Sequence, residues 1–341
     1  MINWGSNNMK SYLITGATGF IGSQIVKAII KRSDYERFRF ILPVRDMNKA
    51  RKFYAPFLES KTNDFVFVEC CVENMTMNRF SLEMGVDYII HCATPTSSKY
   101  MISHPVETAD AIVLGTRNAL ELAHRLEVKS MIFLSSMEVY GQVADEGKLR
   151  AENEIGSLSL SGARSCYPMG KRMAEHYCHI YQQEYGVPVK IARLSQVFGR
   201  GVVASDNRVF MQFARSAMKG KDIVLKTTGQ SLGNYCATED AVAGILTILE
   251  KGKNGEVYNV VNEDNTMRII DMAKLVASEI ADGNISVVLD LENSSTTGYA
   301  PDTGLRMSGK KLRDLGWAPT KCMVEMYRDV IAEIKPTFDA F

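Results

Sequence analysis

The first half of the chain alternates short apolar runs with longer stretches whose apolar residues recur at helical spacing. Residues 11–15, 38–44, 65–70, 88–93, 130–135 and 189–194 read as strands. Runs this short and this continuously apolar suit strands buried on both faces. Between them, residues 22–32, 49–57, 105–126 and 165–185 read as helices. The third of these has a marked start, with Ser103 as its expected cap, Pro105 in the first turn and Glu107 near the positive end of the helix dipole. Repeated strand–helix units predict an α/β fold, a Rossmann-like doubly wound parallel sheet.

After Gly199 the alternation loosens. Residues 209–219, 238–250, 269–280 and 308–315 read as helices, and 223–225 and 256–261 as strands. The expected organisation is a dinucleotide-binding domain over residues 10–195, completed by about 230–262. Residues 196–229 and 263–341 are expected to form a small C-terminal substrate-binding lobe. Strand 256–261 is expected to return to the main sheet.

Composition narrows the picture by exclusion. A chain of 341 residues with a 46% hydrophobic share can bury a sizeable core. A net charge of +1 gives no electrostatic case for a nucleic-acid or anionic-membrane partner. The seven cysteines are odd in number and contain no CxxC pair, which fits reduced thiols packed as small apolar residues. His176 and His179 lie three apart in a helical stretch, but no cysteine or carboxylate pattern completes a metal set, so no metal is expected. No apolar run is long enough to span a bilayer. Residues 1–10 are polar and lack a signal-peptide core, residues 1–8 read as a disordered leader, and a cytoplasmic location is expected.

The first chemical motif is the turn Gly16-Ala17-Thr18-Gly19-Phe20-Ile21-Gly22, which follows the first strand and opens the first helix. Glycines allow the tight turn and let backbone approach a pyrophosphate, which the helix start then binds. The second strand ends in Val44-Arg45-Asp46, with Lys49, Arg51 and Lys52 beyond. An acidic residue there would accept from a ribose 2′-hydroxyl and select NAD, whereas an arginine would pair with a 2′-phosphate and select NADP. Arg45, with Lys52, favours NADP, and NAD stays open through the adjacent Asp46. The same basic residues also read as an ordinary solvated face.

The second motif is Tyr167-Pro168-Met169-Gly170-Lys171, a YxxxK spacing that puts phenol and ammonium on one helix face. An unassisted tyrosine is a poor base at neutral pH, and a neighbouring lysine is expected to lower its pKa. Pro168 is tolerable near the helix start if Ser165 caps it. Upstream, Ser135-Ser136-Met137-Glu138-Val139-Tyr140-Gly141 ends a strand, so the Ser136 hydroxyl is expected to reach the reacting oxygen of a substrate.

GATGFIG, His91-Cys92-Ala93, SSMEVYG, YPMGK, RLSQVFG (Arg193 to Gly199) and Leu315-Gly316-Trp317 occur in one order along the chain. Together they resemble the extended short-chain dehydrogenases of the NAD-dependent epimerase/dehydratase family, over nearly the whole chain. Most members act on nucleotide-activated sugars. The resemblance implies Ser136, Tyr167 and Lys171 as catalytic groups. It implies cofactor contacts at Gly16, Thr18, Gly19, Phe20, Ile21, Gly22, Arg45, Lys52, Cys71, Val72, Ala93, Tyr167 and Lys171, and substrate contacts at Thr94, Ser136, Gln196 and Gln212. It also implies a homodimer built on helices 105–126 and 165–185. Glu138 resembles the glutamate of sugar 4,6-dehydratases and nucleotide-glucuronate decarboxylases, and otherwise reads as a loop cap. The implied reaction is transient oxidation at C4 of a nucleotide-linked sugar, with an NADPH-dependent 4-keto-sugar reductase as the alternative. A sensor or scaffold that binds NADP without turnover would be favoured by loss of Tyr167 or Lys171, and both are present.

The substrate end departs from the family pattern. The arginine that usually grips the nucleotide diphosphate falls on Gly233, and a second such arginine has only Arg306 nearby. Two asparagines align with Gln196 and Gln212, an aspartate near the adenine with Cys71, and the acid that some 4,6-dehydratases carry with Met137.

Overall fold

A computed structural model describes residues 9–32, 37–59, 63–76, 79–80, 85–143, 147–291 and 303–338. Residues 1–8, read from the sequence as a leader, lie outside the described residues. The chain divides into two compact units: Met1–Val139, Leu158–Arg193 and Ile245–Tyr258 make the first, and Tyr140–Ser157, Leu194–Gly244 and Asn259–Phe341 the second.

The first unit is built on strands β1 (Lys10–Thr15), β2 (Phe38–Val44), β3 (Asp64–Glu69), β4 (Tyr88–His91) and β5 (Ser130–Ser136). The sheet continues through β7 (Val189–Leu194) to β11 (Val257–Val260), in the order β11-β7-β5-β4-β1-β2-β3. β1 pairs in parallel with both β2 and β4, β2 with β3, and β4 with β5. Strand 256–261 therefore does return to the main sheet. The connecting helices are α1 (Phe20–Lys31), α2 (Met47–Glu59), α3 (Ser98–Ser103), α4 (Pro105–Arg125) and α5 (Cys166–Tyr185). Leu13, Ile89, Met131 and Phe133 pack with Ile112, Leu120, Ala174 and Cys178 of α4 and α5. Their strand neighbours Ile14, Ile90 and Ile132 are equally buried, so both faces of the sheet are covered, as the continuous apolar runs require. Strand order reverses between β1 and β4, and in open α/β sheets ligands bind beyond the strand ends at such a reversal.

The second unit holds β6 (Leu149–Arg150), β8 (Gln196–Phe198), β9 (Ile223–Leu225), β10 (Leu232–Ala237), β12 (Asn262–Arg268), β13 (Val287–Leu289) and β14 (Arg306–Met307). These form a three-stranded sheet β12-β10-β8 and two strand pairs, β13-β9 and β14-β6. Its helices include α6 (Val209–Lys219), α8 (Ile269–Leu275), α9 (Lys310–Arg313) and α10 (Met323–Phe338), while α7 (Thr238–Lys251) begins here and continues into the first unit. Trp317 is buried and donates its indole N–H to the Asp240 carbonyl at 2.9 Å. The Asp240 carboxylate accepts from Thr320 N–H, Thr320 O–H and Lys321 N–H, which fixes the LGW segment against the start of α7.

Several local expectations are corrected. Ser103 does not cap α4: the flanking residue is His104, and the Ser103 hydroxyl bonds back to the Lys99 carbonyl at 3.0 Å. Ser165 makes no cap bond either, because a 3₁₀ turn over Ala163–Ser165 runs directly into α5. The strand expected to end at residue 93 stops at His91, where Cys92 and Ala93 turn their N–H groups to Thr15 Oγ1, each at 3.1 Å. The helix expected over 308–315 is only the single turn of α9, and the chain leaves it through Gly316 at φ 90°. α8 passes at Val276 into a π turn ending at Ile280.

Candidate active site

The glycine turn follows β1 at the strand reversal. Gly16 has φ 67°, and a Cβ there would stand 3.0 Å from Ala93 Cα and N, so the loops after β1 and β4 touch backbone to backbone. A Cβ at Gly22 would meet the Gly16 carbonyl oxygen at 2.3 Å. Gly19 precedes α1 without a side-chain cap, and the first turn of α1 carries no acidic residue. That leaves the positive end of the helix dipole unopposed, which suits an anion. Thr18, Phe20 and Ile21 are half-buried along the turn.

Two polar residues absent from the sequence reading hold this turn. The buried Tyr54 donates its hydroxyl to the Ala17 carbonyl at 2.6 Å. Thr15 Oγ1 accepts from Cys92 and Ala93, so its own proton goes to His91 Nδ1, 2.8 Å away. That assigns the His91 proton to Nε2, which is buried and without a partner among the described residues. Burial, and then the charge of Lys171, pushes the His91 pKa down to about 3, so the ring is neutral.

At the end of β2 the Asp46 carboxylate accepts from Lys49 N–H at 2.9 Å and so caps α2, while Arg45 and Lys52 are exposed. Cys71 is half-buried ahead of a 3₁₀ turn over Val72–Asn74. Val72 packs on Gly115 of α4, where a Cβ would come within 2.9 Å of its methyl group. Asn118 holds that turn by donating to the carbonyls of Val72 and Glu73. Thr94 keeps a buried hydroxyl without a partner among the described residues. A dinucleotide fits this ground: close-approach glycines, an uncapped helix start and an orphaned hydroxyl lie along the ends of β1 and β4.

Ser136 ends β5, and Tyr167 stands in the first turn of α5, with the Ser136 side chain among the neighbours that lower the phenol's pKa. Its Oγ also accepts from Glu138 N–H at 3.2 Å. Lys171, one turn along α5, donates to the Leu134 carbonyl at 2.6 Å and lies 5.8 Å from the centre of the Tyr167 ring. Burial pushes Lys171 down to about 7. Burial, and then the charge of Glu138, pushes Tyr167 up to about 12, against smaller lowering effects of Ser136 and Arg164. The lowering expected from Lys171 is not among the effects on the phenol in the protein alone, where desolvation outweighs the nearby charges.

Glu138 is neither a free base nor a simple loop cap. Its Oε1 accepts from Arg164 Nη2 at 2.7 Å, and the Arg164 guanidinium carbon stands 5.4 Å from the Tyr167 ring centre. Arg164 precedes Tyr167 by three residues, the spacing that could have revealed it. Beneath the site, Glu175 of α5 and Arg193 of β7 form a buried two-point pair at 2.9 and 2.7 Å. Ser135, next to Ser136, donates to the same carboxylate.

In the second unit, Gln196 is half-buried on β8, and Gln212 is exposed with its amide donating to the Asn207 carbonyl. Arg306 is exposed and reaches the Gly147 carbonyl at 3.4 Å. Gly233 lies under the Tyr235 ring: a Cβ would fall 2.3 Å from the phenol oxygen. His176 is exposed and His179 half-buried on α5. Among the described residues no three His, Cys, Asp or Glu side chains gather as a metal set, and no helix is long and apolar enough to cross a membrane. Cys70, Cys178 and Cys236 are buried, Cys322 is exposed, and all seven cysteines are free thiols.

A wound parallel sheet with a glycine turn at its strand reversal and a Ser136, Tyr167, Lys171 set defines a nicotinamide-dependent α/β class of enzyme. The chain belongs to the NAD dependent epimerase/dehydratase family, whose model matches residues 12–261. It is 27% identical over 321 residues to UDP-glucuronic acid decarboxylase 6 of Arabidopsis thaliana, covering 92% of this chain and 85% of that protein. It is 26% identical over 332 residues to the dTDP-D-glucose 4,6-dehydratase of Homo sapiens, covering 94% and 90%. Among solved structures, a Thermotoga maritima UDP-glucose 4-epimerase superposes with TM-score 0.76 at 21% identity, over 96% of this chain and 99% of the other. A Bacillus anthracis dTDP-glucose 4,6-dehydratase in complex with NAD gives TM-score 0.75 at 19% identity, over 97% and 98%. At these identities the two structures establish the fold.

Proposed function

We propose that the protein oxidises C4 of a nucleotide-linked sugar transiently, using a nicotinamide dinucleotide held along the ends of β1, β2 and β4. The observation that carries this reading is the position of Lys171 Nζ 5.8 Å from the Tyr167 ring centre, one turn along α5 and with Ser136 beside the phenol, in the same unit as the Gly16–Ala93 approach. The relatives named for UDP-glucuronic acid and dTDP-glucose support the substrate class.

The bound cofactor supplies a hydride acceptor, and its oxidised ring adds a positive charge that favours the tyrosinate. Tyr167 takes the C4 hydroxyl proton while Ser136 hydrogen-bonds the same oxygen, and loss of that proton with the C4 hydride leaves a ketone. Lys171 steadies the phenolate and reaches the ribose. Glu138 serves as an acid–base group beside the ring, moving the C5 proton that becomes acidic only after C4 is a ketone. Because the oxidation at C4 is transient, the cycle would need no net reductant. The second unit is the substrate lobe in this reading, and Gln196 and Gln212 are its candidate substrate contacts. The exposed apolar residues Val106, Leu114 and Met173 on α4 and α5 support a homodimer through those helices.

Arg45 favours NADP over NAD, since Asp46 is engaged as a helix cap while Arg45 is exposed. The same geometry favours a second reading, a 4-keto-sugar reductase that consumes NADPH. Turnover in deuterated water separates the two. The proposed enzyme needs no added reductant and places deuterium at C5. Stoichiometric NADPH oxidation with unlabelled C5 would instead establish the reductase.

A further inference from the structure

Arg164 is the most incompletely used charged group near Tyr167. Glu138 meets it at one point only, Oε1 to Nη2. Nη1 is shielded from solvent and has no hydrogen-bond partner among the described residues. Both side chains of the pair are more than a third exposed, so their contact can be exchanged. A guanidinium presents its donors as a planar fork, and a carboxylate that meets both arms makes two charge-assisted bonds where Glu138 makes one.

From this geometry we infer that Arg164 receives an anionic substituent, a carboxylate, carried by the substrate next to its reacting carbon, and that this exchange frees Glu138. The inference rests on the proposed C4 chemistry and narrows its substrate to nucleotide-linked uronic acids. Position selects between two sources of anionic oxygen. A uronate carboxylate is bonded to C5, the carbon beside C4. The diphosphate is bonded at the anomeric carbon, on the far side of C5 and the ring oxygen. A group held beside the Tyr167 ring, where C4 must react, is matched to the first. The exchange also suits acid–base work at the ring, because it releases the Glu138 carboxylate from its arginine contact. Arg164 is one turn ahead of Tyr167 on a continuous 3₁₀-to-α segment, so the fork is fixed relative to the phenol.

The test is equilibrium binding of UDP-glucuronic acid, UDP-glucose and UDP to the cofactor-loaded protein, for wild type, Arg164→Met and Arg164→Lys. Unchanged cofactor affinity and melting temperature show that the variants fold. Wild type should bind UDP-glucuronic acid at least about tenfold more tightly than UDP-glucose. Arg164→Met should bring that ratio to within about twofold of one, and Arg164→Lys should retain only part of it, having charge without the fork. A ratio near one in wild type, or one that survives Arg164→Met, overturns the inference while leaving the C4 reading intact. Equal weakening of UDP and UDP-glucuronic acid by Arg164→Met would assign the arginine to the diphosphate and overturn it as well. Failure of all three nucleotides to bind would remove the nucleotide-sugar reading itself.

Discussion

The Tyr235 phenol occupies the place where a side chain at position 233 would begin: an ideal Cβ on Gly233 lies 2.3 Å from Tyr235 Oη and 2.4 Å from its ring. The pairing of β10 with β12 shifts register between these two residues, which brings the ring back over the glycine. Position 233 is where the family pattern that the sequence resembles would place a diphosphate arginine, and the Tyr235 ring fills the space such a side chain would start from.

Gly233→Ala should destabilise the protein by about 1–3 kcal/mol, the usual cost of forcing atoms into a packed site. Tyr235→Phe should be neutral or stabilising, because the buried Tyr235 hydroxyl has no partner among the described residues. Urea unfolding of both variants measures this. A Gly233→Ala protein as stable as wild type would show that the ring moves aside freely.

The buried Glu175–Arg193 pair predicts an asymmetry between single and double substitutions. Glu175→Met or Arg193→Met alone removes the counter-ion of a buried charge and should cost about 3–5 kcal/mol. The double replacement should cost much less than the sum of the two. Additive losses in a double-mutant cycle would contradict this account.

Lys190 is buried, donates to Ser130 Oγ at 2.7 Å and to the Pro188 carbonyl, and has burial alone pushing its pKa down to about 8. Lys171 is pushed down to about 7. Both folded values lie below the unfolded value of about 10.4, so the unfolded chain binds more protons in between. Stability should therefore rise with pH from about 7 toward 10, by at most about 1.4 kcal/mol per pH unit per lysine. Lys190→Met should raise stability at pH 7 and flatten the rise above pH 8. Melting temperatures across that range check both statements.

Arg45→Ala should weaken NADP binding by about 1.5–3 kcal/mol, the scale of a hydrogen bond to a charged group, and spare NAD. Fluorescence titration with each cofactor reads the difference. Equal affinity of wild type for both would make NAD the working cofactor.

Tyr167→Phe should lower turnover by about two or more orders of magnitude, the contribution of a positioned acid–base group, with cofactor affinity little changed. Steady-state turnover and cofactor titration give the two numbers. A variant within a few-fold of wild type would remove Tyr167 from the chemistry.

The sequence by itself determined the sheet strands, the helices that join them and the position of each motif on them, because those depend on local periodicity and on glycine or proline at set places. Residues 189–194 and 209–219 are read to the residue as β7 and α6. It also carried α10, whose buried Met323, Met326, Tyr327, Val330 and Ile334 recur at helical spacing although the pattern was not read. Short strands such as β8 and β10 were not legible, since their polar residues are satisfied by distant partners. Asn234, for example, donates to the Leu305 carbonyl and accepts from Met307 N–H. Tertiary structure alone decided what meets what. It set Thr15 against His91, turned Asp46 into a cap while leaving Arg45 exposed, tied Glu138 to Arg164, and laid Tyr235 over Gly233. The physical reason is that these contacts are fixed by strand order, register and burial, which join residues with no periodic relation along the chain.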